Sequence, residues 1–129
     1  FYNKVNLDAT FFIWSRSKDQ LGFIAEIKSG QKENLKELLK GWEETMEKDF
    51  EPLLDIVHKS PLGEFSQWQT KPYQDNLIRY TNCEAYPNFG LYYTIYGTTH
   101  YYFIFTVNQQ AMLKIIDLLA IQKPGTTNQ

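Results

Sequence analysis

The chain has 129 residues, and its 13 Lys and Arg against 15 Asp and Glu give a net charge of −2, with the cations scattered. A phosphate-tracking surface needs clustered cations, so this balance argues against a nucleic-acid partner. The hydrophobic share of 43 % and charged share of 22 % describe a globular domain able to bury a core, and the lone Cys83 excludes an intramolecular disulfide. The departure from ordinary usage is the aromatic share of 16 %.

No run approaches the roughly 18 apolar residues that span a bilayer, and no signal peptide is visible. The chain opens on Phe1 instead of Met, which reads as a processed or excised piece with an anchor or signal expected upstream.

Residues 1–8 read as a lead-in. Thr10 to Ser17 (TFFIWSRS) and Leu21 to Ser29 (LGFIAEIKS) have strand composition and flank the turn Lys18-Asp19-Gln20, which predicts an antiparallel hairpin. From Ser29 or Gly30 a helix is expected, because Leu35, Leu38, Leu39, Trp42, Met46, Phe50, Leu53, Leu54 and Val57 keep one apolar stripe. Its opposite face is Glu, Lys and Asp. Pro52 lacks the amide that a helix interior uses, so the helix should kink there or restart with Asp49 as a cap, ending near His58 to Ser60.

Glu64 to Tyr73 is read as a strand and Asp75-Asn76 as a turn, followed by a strand over Asn76 to Cys83 and a loop to Gly90. Leu91 to Tyr96 and Tyr101 to Val107 form an aromatic hairpin about the break Gly97-Thr98-Thr99-His100. Asn108 then caps a closing helix, Gln109 to Ile121, with Met112, Leu113, Ile115, Ile116, Leu118 and Leu119 as a broad apolar face. Residues 122–129 read as a flexible tail or linker.

The order β-β-α-β-β-β-β-α predicts a single α+β domain over residues 9–121, an antiparallel sheet of about six strands with the helices packed on one face. The other sheet face is then expected to stay partly solvated and rich in Tyr.

Catalytic constellations are sparse. Glu43, Glu44, Glu47, Asp49 and Glu51 lie on or near the long helix, where alternating acids ordinarily serve solvation. His58, His100 and Cys83 lack the short spacing of a zinc site, so neither a metal nor a cofactor is expected. Glu84 beside Cys83 disfavours a reactive thiolate, and the dispersed glycines make no phosphate loop.

The aromatic set remains. Trp14, Trp68, Tyr80, Tyr92, Tyr96 and Tyr102 are the candidate binding residues, since rigid Tyr and Trp side chains supply contact area at small entropic cost. The competing reading is that they pair across strands to stiffen the sheet.

The run from Leu39 to Leu54 (LKGWEETMEKDFEPLL), with Ile78-Arg79-Tyr80 and Val107-Asn108 leading into Met112-Leu113, resembles uncharacterised membrane-anchored proteins of uncultivated bacteria with reduced genomes. In those chains a similar W-E-x-x-M-x-x-D-x-x-P-L run follows a strand pair. The likeness spans residues 9–120, its motifs are structural, and no activity comes with it. It implies an N-terminal membrane anchor outside this sequence and an extracytoplasmic location.

These readings lead to a non-catalytic binding or assembly domain of a larger membrane-associated protein, meeting a protein or glycan through an aromatic sheet face. The alternatives are a small hydrolase-like enzyme using helix acids or Cys83, and an intracellular module holding a small ligand between sheet and helix.

Overall fold

A computed structural model describes residues 10–13, 21–52, 54 and 63–121. The elements are β1 (Thr10–Ile13), β2 (Leu21–Glu26), α1 (Lys32–Asp49), β3 (Gln69–Tyr73), β4 (Asn76–Asn82), β5 (Phe89–Gly97), β6 (Tyr101–Asn108) and α2 (Gln109–Ile121). The domain is α+β, with one antiparallel sheet and two helices. Five strands in the order β2-β6-β5-β4-β3 form the body of the sheet, and the four-residue β1 extends it beyond β2. At the opposite edge β3 carries Lys71 and Pro72, a charge and a missing amide that blunt an open edge.

The turns follow local chemistry. Gln74 and Asp75 take positive φ values of 47° and 67°, and the Asn76 side chain donates to the Gln74 carbonyl at 2.9 Å, so the β3–β4 turn falls one residue earlier than Asp75-Asn76. Gly97, at φ 131°, lets β5 turn toward β6, since a Cβ there would overlap the His100 carbonyl oxygen. The Asn108 carboxamide oxygen accepts from the amides of Gln110 (2.8 Å) and Ala111 (3.2 Å), capping α2 as its side-chain type suggests.

Helix α1 begins at Lys32, two residues later than Gly30, whose φ of 78° keeps it outside the helix. α1 ends at Asp49 with Phe50 as its C-cap, and helical backbone resumes at Glu51 and Pro52, where Leu54 N donates to Phe50 O at 2.9 Å, so the helix breaks just before Pro52 and restarts. Asp49 is not a cap. Its carboxylate accepts instead from Trp42 Nε1 at 2.6 Å and Thr45 Oγ1 at 3.1 Å.

The helices lie on opposite faces of the sheet, which corrects the expected packing on one face. Leu35, Leu39, Met46 and Leu54 join Leu91, Tyr93, Phe103, Phe105 and Val107 in one core. Met112, Ile115 and Ile116 of α2 join Ile78, Tyr92 and Ile104 in the other. Neighbours such as Tyr92 and Tyr93, or Ile104 and Phe105, point to different cores because successive side chains alternate across a strand. The physical reason is in the central strands. Residues 89–94 and 103–108 are buried without a break, the pattern of strands covered on both sides. Each fully buried Leu, Ile or Met contributes on the order of 1.5–3 kcal/mol, so two apolar faces need two covers. The Tyr-rich face expected to meet solvent is therefore the floor beneath α2.

Candidate functional site

One acid of α1 is buried. Glu43 is only 8 % exposed because it lies four residues after Leu39 and three before Met46, on the apolar stripe and not on the solvated face. Arg79 of β4 answers it side-on, Nε donating to Oε2 at 2.8 Å and Nη2 to Oε1 at 2.5 Å. The Tyr93 hydroxyl of β5 donates to Oε2 at 2.5 Å, and Arg79 Nη1 donates to Thr70 Oγ1 of β3 at 2.9 Å. Trp68 Nε1 donates to the Glu43 main-chain carbonyl at 3.0 Å, and its ring lies 5.8 Å from that of Tyr93.

Burial pushes the Glu43 carboxyl up, but the hydrogen bonds from Arg79 and Tyr93 and the guanidinium charge outweigh it and hold the group below the usual carboxylate range. Burial, with the carboxylate it faces, raises Tyr93 well above an ordinary phenol. This cluster ties α1 to three strands. A carboxylate held by three charge-assisted bonds is built to stay ionised, which suits a clamp and not a general acid.

The sequence-predicted aromatic residues separate. Trp14 lies outside the described residues. Trp68 packs under α1. Tyr92 is 1 % exposed, stacks on Tyr80 at 5.6 Å and 7°, and donates its hydroxyl to Asn82 Oδ1. Tyr80 and Tyr96 are half-buried against the α2 core. Tyr102 is also half-buried and sits directly between Tyr96 and Glu26 in the strand register. On that face α2 is further latched by Asp117, which accepts from Tyr73 OH at 2.7 Å and Gln74 Nε2 at 2.5 Å.

At the end of the sheet beyond Tyr102, the β2–α1 connection and the β5–β6 turn enclose an open groove of about 630 Å³. Glu26, Lys28, Ser29, Lys32, Glu33, Thr99 and His100 supply its polar lining, with Ile27 and Tyr101 as its apolar part. Tyr101 is fixed at both ends: its hydroxyl donates to Thr98 O at 2.7 Å, and Lys32 Nζ lies 4.5 Å from the ring centroid. Sequence reading treated Gly97 to His100 only as a hairpin break, Glu26 and Lys28 as part of a strand, and the Lys and Glu side chains of the helix, Lys32 and Glu33 among them, as its solvated face. The one signal was that both connections are polar and meet through the β2–β6 pairing, which needs the topology.

Cys83 is fully buried, and His58 lies outside the described residues. Among the described residues no group of three or more His, Cys, Asp and Glu side chains is placed to hold a metal ion, and no helix is long and apolar enough to cross a membrane. Comparison with protein-family models, curated proteins and solved structures finds no match.

Proposed function

We propose that this domain is a non-catalytic binding or assembly module of a larger membrane-associated protein, outside the cytoplasm, that takes a protein or glycan at the β5–β6 end of its sheet. The observation that carries the reading is the groove. Polar side chains from two connections converge around Tyr101, whose hydroxyl and ring are both held in place. A site built on anchored connections presents a defined shape at low entropic cost. The buried acid, Glu43, is meanwhile saturated by structural partners, which favours binding over acid–base work.

This moves the recognition surface from the aromatic sheet face to its end, where Tyr96 and Tyr102 adjoin the groove through Glu26. Amide chemical-shift mapping of the 129-residue chain against peptide and oligosaccharide panels tests the reading. Shifts gathered on residues 26–33 and 99–101 support it, and shifts centred on Tyr80 and Tyr92 overturn it. The membrane-associated part of the proposal is tested by partition of the native gene product between membrane and soluble fractions, recovery in the soluble fraction alone counting against it.

A further inference from the structure

Resting on that reading, we infer that the groove is a saccharide site that takes a neutral oligosaccharide. Three features of its lining separate this ligand class from the others.

An apolar small molecule would need walls that are mostly hydrocarbon. Here an apolar molecule would cover the charged side chains of Glu26, Lys28, Lys32 and Glu33 without giving them a polar partner.

An anion would need an excess of positive charge. Lys28 and Lys32 are balanced by Glu26 and Glu33, and Lys32 stands 3.9 Å from Glu33. The groove is therefore charged but close to neutral overall at neutral pH.

A peptide strand would add to an open sheet edge through main-chain hydrogen bonds. In the groove two main-chain amides are already taken, Ile27 N donating to Tyr101 O at 2.9 Å and Gln31 N to Lys28 O at 3.0 Å, which disfavours strand addition there.

A sugar hydroxyl both donates and accepts, so it needs a wall that offers both. The Lys28 and Lys32 ammonium groups donate, the Glu26 and Glu33 carboxylates accept, and Ser29, Thr99 and His100 do either. The Tyr101 ring is the aromatic surface of the groove, with the Lys32 ammonium 4.5 Å from its centroid, so the C–H face of a sugar ring rests there as that ammonium turns aside to a sugar hydroxyl. The groove is open, not enclosed, which fits a length of chain passing through it.

The test is amide chemical-shift titration of the 129-residue chain with neutral hexasaccharides of α-glucan, β-glucan, mannan and chitin type, beside inorganic phosphate and one acidic and one basic peptide. The inference predicts that at least one oligosaccharide shifts residues 27–33 and 99–101, with an affinity changing less than about twofold between low and high salt because no net charge is neutralised. Tyr101→Ala should weaken that binding at least tenfold. The exposed substitutions Thr99→Ala and His100→Ala should each weaken it severalfold while leaving the thermal midpoint unchanged, which guards against a Tyr101 variant that fails to fold. If phosphate or a peptide shifts the groove and no oligosaccharide does, the saccharide inference falls and the groove reading stands. If no probe shifts the groove, both fall.

Discussion

Glu43 and Arg79, 36 positions apart in the chain, meet as a two-point ion pair between α1 and β4, with the Glu43 side chain 8 % and the Arg79 side chain 24 % exposed. Such a pair gives a helix one permitted seat on a sheet. Hydrocarbon contacts tolerate sliding, whereas a planar fork against a carboxylate does not. Removal of one partner leaves a buried charge without its counter-ion. Arg79→Ala should cost about 3–5 kcal/mol, read as a drop in urea midpoint. Replacing both residues by apolar side chains of similar volume should recover most of it.

The same cluster sets the dependence on pH. The Glu43 carboxyl is held below its ordinary 4.5, so its contribution is present above that value and is lost as pH falls through the folded one. Tyr93 and Tyr92 are raised above 10.0, so the folded state resists their ionisation and stability falls as pH rises beyond that value. Urea midpoints should form a plateau between these limits. Tyr93→Phe removes one bond to the carboxylate and should move the acid limb to higher pH, and an unmoved limb would show that the hydroxyl does not hold Glu43.

The double cover of the sheet predicts a sharp contrast within α2. Ile116 is fully buried against the sheet, and Ile116→Ala should cost about 2–5 kcal/mol. Leu118, two residues on and 45 % exposed, should change stability by no more than about 0.5 kcal/mol when cut to Ala. Equal effects at the two positions would contradict the seating of the helix.

Gly90 lies where β5 passes close to β4, and a Cβ there would overlap the Thr81 carbonyl oxygen. Main chain cannot swing aside as a side-chain tip can. Gly90→Ala should therefore lower stability by on the order of 2–3 kcal/mol, measured by the same urea titration, whereas Gly41→Ala, with open space about it, should not.

The elements themselves were legible in the sequence because each rests on local chemistry: Asn108 as a cap, Gly97 at a turn, the stripe from Leu35 to Leu54. What was not legible was the far side of the sheet. Alternation was assumed for the aromatic strands, and a solvated Tyr face followed from it. Yet Leu91-Tyr92-Tyr93-Thr94 offers no polar face to solvate, and Tyr hydroxyls mislead because one bond, such as that of Tyr92 to Asn82, makes them suitable for a core. Glu43 was hidden for the converse reason. Its charge suggested solvent, while its place on the stripe and an Arg in a central strand position pointed inward. The groove could not be read from either connection alone, since it exists only where β2 and β6 pair.

Everything about the site depends on α1 and α2 lying on opposite faces, because that closes the Tyr-rich surface and leaves the sheet end for recognition. The most direct measurement is a methyl-to-aromatic nuclear Overhauser spectrum. Cross-peaks from the Met112 methyl and Ile116 methyls to the Tyr92 ring, and from Leu39 and Met46 methyls to Tyr93 and Phe103, are expected. Cross-peaks from methyl groups of both helices to the same face, Tyr93 and Phe103 included for Met112, would contradict the account and return the Tyr-rich face to solvent.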